Sequence, residues 1–251
     1  MIDEADLERR FGGLRRLYGD VAYRRVRSAR VAVVGLGGVG SWVAEALARS
    51  GVAGLVLFDL DHVAESNINR QVQASTGTLG QHKGLALRER ISGIHPACEV
   101  TVVDAFVEPG NWPALLPQPV DALVDACDQV RAKAALAAWG MAGGVPLVCV
   151  GAAGGKRAPQ RVEVEDLADT THDPLLASLR QRLRKDAVAA RAGRIGVRCV
   201  FSRESVAAPQ GSCDSDGTLN CHGYGSSVTV TATFGMVAAA EALAQLIGRP
   251  G

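Results

Sequence analysis

The sequence predicts a doubly wound α/β fold: a mostly parallel, Rossmann-like sheet with helices on both faces, followed by a C-terminal α+β extension. Three observations support this. Apolar, β-branched runs without polar alternation recur at ARVAVVG (29–35), LVLFD (55–59), EVTVVD (99–104), DALVDA (121–126) and PLVCVG (146–151), as expected for strands covered on both faces. Helical patterns separate them, which parallel pairing requires. A glycine-rich turn, GLGGVGS (35–41), joins the first strand to the first of these helices.

Taken in order, residues 4–28 place Leu7, Phe11, Leu14, Leu17, Val21 and Val26 among charges and predict one or two short helices. SWVAEALARSG (41–51) is a helix closed by Gly51. Residues 81–94 and 130–143 are the next two helices. Beyond 151 the regularity ends. GAAGGKRAPQ reads as a loop, RVEVEDL as an alternating edge strand, HDPLLASLRQRLRKD as a basic helix and GVRCVFS as a further strand. A Gly, Ser and Asp-rich stretch from about 208 to 227 leads into a last helix.

The 27 Lys and Arg against 26 Asp and Glu give a net charge of +1, so only local patches can argue for a polyanionic partner. Six cysteines contain no C-x-x-C pair, which suits a reducing cytosol and leaves no structural zinc site of the usual spacing. MIDEADLERRFGG lacks an apolar signal region, and a cytoplasmic location is expected. Residues 228–248 are long enough to span a membrane but carry Glu241, Gln245 and several Thr, so a packed helix is expected ahead of membrane association.

Gly35, Gly37 and Gly40 keep the G-x-G-x-x-G spacing, and Gly38 loosens the turn further. Such a turn brings backbone N–H groups and a helix N-terminus to a phosphate. Asp59, ending the second strand, suits ribose hydroxyls. Dehydrogenases and ATP enzymes share these features, and a purely structural turn is also compatible. The choice falls to DLDHVAESNINRQ (59–71) and GQHKG (80–84), which supply Asp59, Asp61, Ser66, Asn67, Asn69, Arg70, Gln71 and Lys83. Two cations and several amides near a phosphate turn suit displacement at a triphosphate.

GLGGVGS, LFDLDHVAESNINRQ, GQHKG and DACDQVRAK together resemble the E1-like adenylating superfamily of ubiquitin-activating enzymes and bacterial sulfur-carrier activators. The resemblance implies that Gly38 and its neighbours contact ATP phosphates and that Asp59 holds the ribose. It implies that Asn67, Arg70 and Lys83 engage the phosphates and that Asp128 coordinates Mg²⁺ in adenylation. Gln129 stands where Asn is usual. Arg10, in RRFGG, matches an arginine that reaches across a homodimer into the partner's site.

RFGGLRRLYG (10–19), residues 151–185, GVRCVFS and NCHGYGSS to TVTATFG (220–235) resemble a narrower branch, the tRNA threonylcarbamoyladenosine dehydratases. That implies adenylation of the substrate's threonine carboxylate, then ring closure by the neighbouring carbamoyl oxygen with loss of AMP. It gives the division 1–29 N-terminal helical segment, 30–151 ATP-binding core and 152–251 tRNA-binding extension. The resemblance admits a monovalent cation (Na⁺ or K⁺), a cysteine desulfurase or sulfur-acceptor partner, and a catalytic role for Cys221 or Cys199. Cys199 is expected to pack in its strand, and Cys213, Cys221 and His222 form only a weak metal pattern.

Lys156, Arg157 and Arg161, then Arg180, Arg182, Arg184, Lys185, Arg191, Arg194 and Arg198, make the C-terminal half locally basic and are the expected tRNA contacts. Activation of a ubiquitin-like sulfur carrier is the alternative, disfavoured by the missing C-x-x-C pairs. A nicotinamide-dependent oxidoreductase and a non-catalytic nucleotide-binding adaptor are the more distant ones.

Overall fold

The structure is a computed structural model, and it describes residues 6–206 and 224–248. Seven strands form one sheet in the order β3-β2-β1-β4-β5-β7-β6. They are β1 (Arg30–Val34), β2 (Gly54–Phe58), β3 (Glu99–Val103), β4 (Ala122–Asp125), β5 (Leu147–Val150), β6 (Val162–Asp166) and β7 (Arg198–Ser202). Every pairing is parallel except that of β6 with β7, which makes β6 an antiparallel edge strand. β7 inserts between β5 and β6, so the segment after residue 151 continues the sheet.

Six α-helices flank the sheet among the described residues: α1 (Leu7–Ser28), α2 (Gly40–Arg49), α3 (Lys83–Ile94), α4 (Val130–Gly143), α5 (Pro174–Lys185) and α6 (Val228–Ile247). α1 is kinked at Gly19, whose φ of 80° breaks the helical geometry into the two short helices that the apolar spacing suggested. Within β1, Val31 and Val33 enter one core while Ala32 and Val34 enter the other, the period-two consequence of strand geometry. The first core lies under α2, α3 and α6, and the second under α4 and α5.

α6 is the one described helix long and apolar enough to cross a membrane, and half of that span is buried inside the protein. Its buried stripe includes Val230, Phe234, Ala238, Ala242 and Leu246. The stripe packs on α2 so closely that a Cβ at Gly235 would stand 2.6 Å from that of Trp42. The absence of a side chain at Gly235 lets the two helices approach closely.

Candidate functional site

The strand order reverses beside β1, whose neighbours are β2 and β4, and ligands of doubly wound sheets bind at that switch point, outside the strands' carboxyl ends. The glycine turn leaves β1 there. Gly35 adopts φ +84° and sits 3.0 Å, measured from a Cβ position, from the Ala126 carbonyl oxygen leaving β4. A Cβ at Gly40 would collide with the carbonyl oxygen of Gly35, so both glycines are required by the turn itself. A Cβ at Gly37 meets nothing within 4 Å, leaving that face of the turn open. At Gly38 it would stand 3.2 Å from Arg70 Cγ and 3.2 Å from Thr231 Cγ2. Arg70 and the first turns of α6 therefore wall the loop.

Asp59, 5% exposed, lies beneath the turn. Its Oδ2 accepts from the Leu36 amide at 2.6 Å and its Oδ1 from the Asp61 amide at 2.9 Å. A carboxylate offers about four lone-pair sites, so two are left for a ligand's hydroxyls. Asn67, also buried, accepts through Oδ1 from the Ala64 amide and fixes a 3-10 turn over Glu65–Asn67. Arg70 follows it, donating from one guanidinium nitrogen to the Ser66 carbonyl at 2.7 Å and to Asn69 Oδ1 at 2.9 Å. The indole of Trp42, on α2, donates to the Arg70 carbonyl at 2.9 Å and fastens this turn to the glycine loop. Asn69 donates through Nδ2 to the Ser226 carbonyl, just ahead of α6.

Lys83 opens α3. Its ammonium is almost fully buried, 2.7 Å from Asp61 Oδ2. His82 caps the same helix, accepting through Nδ1 from the Gly84 amide, while its Nε2 lies 3.1 Å from the Asp59 carbonyl oxygen. With Nδ1 an acceptor, Nε2 carries the proton and donates. Asp128 and Gln129 are exposed just past β4, joined by a 3.3 Å hydrogen bond from Gln129 Nε2. Gln129 is the N-cap residue of α4 without a side-chain capping bond. The N-termini of α2, α3 and α4 thus lie at the carboxyl end of the sheet, where the positive ends of their dipoles favour an anion.

The structure gathers Gly35, Gly37, Gly38, Gly40, Asp59, Asp61, Ser66, Asn67, Asn69, Arg70, Lys83, Asp128 and Gln129 at this end. Gln71 is buried and reaches the loop indirectly. Its Oε1 accepts from Gln73 Nε2, which also donates to the Leu36 carbonyl at 3.1 Å. Arg10 does not join the site. It is exposed and donates to the Ile94 carbonyl, at the end of α3 remote from Lys83, about 17 Å along a twelve-residue helix.

The basic residues of the C-terminal half divide between buried and exposed positions. Lys156 is 3% exposed, and its ammonium donates to the carbonyls of His172, Ser202 and Glu204. Burial lowers its pKa ahead of the opposing effect of Asp173 and Glu204. It closes a loop and is withdrawn from any phosphate. Arg180 is likewise spent on the Leu167 and Thr170 carbonyls. Arg157 and Arg161 are exposed near the carboxyl end of the sheet. Arg184, Arg194 and Arg198 instead line, with Glu165, Asp166 and Asp169, a depression at the amino-terminal end of β7.

Several residues that shape the site carry no signal in the sequence, notably Trp42, Gln73, Thr231 and the buried pair Asp125–Lys133. Lys133 is visible there only as a single cation on the apolar face of VRAKAALAAW. Cys199 is fully buried in β7, and burial above all raises its thiol pKa far above the ordinary value, which suits packing and opposes nucleophilic attack. Cys213, Cys221 and His222 lie outside the described residues. Among the described residues, no group of three His, Cys, Asp or Glu side chains is arranged to hold a metal.

The glycine loop at the switch point, with Asp59 beneath it and the buried Lys83 beside Asp61, belongs to a nucleotide-binding class of fold, and the chain belongs to the ThiF family, whose model matches residues 10–251. It is 44% identical over 256 residues to the tRNA threonylcarbamoyladenosine dehydratase of Escherichia coli, covering 96% of this chain and 94% of that protein. It is 40% identical to the Haemophilus influenzae enzyme of the same name, with the same coverage of both chains. The crystal structure of the Escherichia coli dehydratase in complex with ATP superposes with a TM-score of 0.88 at 42% identity, covering 98% of this chain and 97% of that one.

Proposed function

We propose that this protein catalyses the ATP-dependent dehydration of N6-threonylcarbamoyladenosine at position 37 of tRNA. The observation that carries the reading is similarity along nearly the whole chain to a dehydratase whose structure was solved with ATP, joined to a glycine loop surrounded by Asp59, Arg70, Lys83 and Asp128. The substrate's carboxylate is a poor electrophile because oxide cannot leave. Attack of a carboxylate oxygen on the α-phosphorus forms an O–P bond and breaks the bond to pyrophosphate. The carbamoyl oxygen then attacks the activated carbonyl, AMP leaves with the former carboxylate oxygen, the carbamoyl N–H proton is released to solvent, and a five-membered ring closes with the net loss of water. Attacking group and carbonyl share one side chain, so proximity assists the second step.

In this reading the open face of the turn at Gly37, bounded at Gly38 by Arg70 and Thr231, takes the phosphates, and the free lone pairs of Asp59 take the ribose. Arg70, Asn67 and Lys83 balance charge developing on the phosphates, while Asp61 holds Lys83 in place. Asp128 fits Mg²⁺, since its exposed carboxylate carries one long hydrogen bond and keeps its remaining lone pairs. When bound, the ion supplies neutralisation of phosphate charge. Arg10, remote from its own protomer's site, is assigned to the site of a partner in a homodimer. Residues 152–251 are assigned to tRNA, and the location to the cytoplasm. The dehydration itself requires no sulfur relay.

The test is to incubate the protein with ATP, Mg²⁺ and tRNA bearing the modified nucleoside, then digest and weigh the nucleosides by mass spectrometry. A nucleoside lighter by one water, formed only with ATP, is expected. Its absence with folded, ATP-binding protein overturns the assignment.

A further inference from the structure

We infer that Tyr224 is a stacking platform for the adenine base of the substrate nucleoside, a role that rests on the function proposed above. The residue is held beside the site from both sides. The amide of Gly155, in the loop leaving β5, donates to the Gly225 carbonyl at 2.9 Å. Two residues beyond Tyr224, the Ser226 carbonyl accepts from Asn69, the neighbour of Arg70. Ser227 then caps α6, whose Thr231 packs within 3.2 Å of the Cβ position of Gly38. Gly154 faces Tyr224 itself, with 3.6 Å between its Cβ position and the tyrosine Cβ. The backbone is thereby pinned between the glycine loop's outer wall and the loop after β5.

The side chain, in contrast, is partly open to solvent. Tyr224 is 40% exposed, and its hydroxyl makes no hydrogen bond among the described residues. A tyrosine serving only the core would be buried, as Tyr23 is at 2% exposure. The other exposed aromatic side chains among the described residues are Tyr18, on α1, and Phe106, beyond β3 at the opposite edge of the sheet. Neither belongs to a segment that contacts the glycine loop.

The chemistry supplies the need for such a ring. A carboxylate attached to an adenine reaches the α-phosphorus only if the nucleoside leaves the stacked anticodon loop, and proteins compensate lost base stacking with an aromatic face. Stacking contributes substantially per base and needs no hydroxyl. Arg157 and Arg161, exposed at this end, suit phosphates, whereas the base calls for an uncharged partner.

The experiment compares wild type with Tyr224→Phe, Tyr224→Leu and Tyr224→Ala in steady-state dehydration of an anticodon stem-loop RNA bearing N6-threonylcarbamoyladenosine. KM for the RNA and for ATP are measured separately. Tyr224→Ala and Tyr224→Leu are each expected to raise KM for the RNA about tenfold. Both should leave KM for ATP within twofold, and Tyr224→Phe should match wild type. Unchanged KM for the RNA in Tyr224→Ala, or rescue by Leu as complete as by Phe, overturns the stacking role while leaving the dehydratase reading intact. A wild-type protein that yields no dehydrated nucleoside overturns both.

Discussion

Lys133 Nζ lies 3.1 Å from Asp125 Oδ2, and neither side chain is exposed to solvent at all. The same ammonium donates to the Val150 carbonyl at 2.8 Å, so it stitches the end of β4 to the end of β5. Desolvation works against its charge, but Asp125 and the thiols of Cys127 and Cys149 outweigh it and raise the pKa. Lys133→Met leaves the carboxylate buried without its counter-charge. A loss of about 3–5 kcal/mol of stability is expected, read as a fall in urea midpoint. Stability equal to wild type would show that the pair contributes nothing.

The two ends of the glycine loop should separate fold from function. Gly40→Ala forces a side chain into the Gly35 carbonyl and is expected to prevent soluble expression. Gly37→Ala points a methyl group into open space, so its melting temperature should match wild type. If that open face receives phosphate, ATP affinity by calorimetry should fall at least about tenfold, equivalent to ~1.4 kcal/mol. Unaltered affinity would place the nucleotide elsewhere.

Asp128 is exposed and bonded only to its neighbour Gln129 among the described residues, so Asp128→Ala should leave the melting temperature within a degree or two of wild type. The same variant should abolish the dehydrated nucleoside in the mass-spectrometric assay. Retained turnover would remove Asp128 from the chemistry.

Asp166, its side chain 5% exposed, has burial acting to raise its pKa, yet the amides of Ala168, Ile195 and Gly196 and the Arg194 guanidinium hold it below the ordinary carboxylate value. A depressed folded-state pKa stabilises above the unfolded value of about 3.9 and loses that contribution as pH falls through the folded value. Acid titration of stability should therefore steepen below about pH 4. Asp166→Asn should be less stable at pH 7 by about 1–3 kcal/mol, the range for a weakened buried hydrogen-bond set, and should show a shallower acid limb. Parallel acid limbs would contradict the assignment.

For tRNA, charge reversal at Arg157 and Arg161 is expected to weaken binding and to lower the slope of log K against log salt by about 0.9 for each phosphate no longer neutralised. ATP affinity should not change. Arg182, paired with Asp186 at 3.3 Å, is a weaker candidate than the sequence suggested. A wild-type salt slope in the Arg157, Arg161 variant would exclude this rim from the tRNA path.

Strand, turn and helix periodicity made nearly every element legible, because parallel strands buried on both faces leave unbroken apolar runs such as LVLFD and PLVCVG. The glycine loop and Asp59 were legible for the same local reason. The role of Lys156 was not, because a cation's use depends on which carbonyls converge on it. Those of His172, Ser202 and Glu204 lie 16 to 48 residues away in the chain. Insertion of β7 between β5 and β6 was equally hidden, since pairing order is settled by tertiary packing.

The contact between Gly38 and Thr231 also bears on synthesis. All seven described strands precede α6 in the chain, so the glycine loop's outer wall is delivered after the sheet that carries the loop has emerged. A nascent polypeptide holding a complete sheet therefore still lacks one wall of its glycine loop.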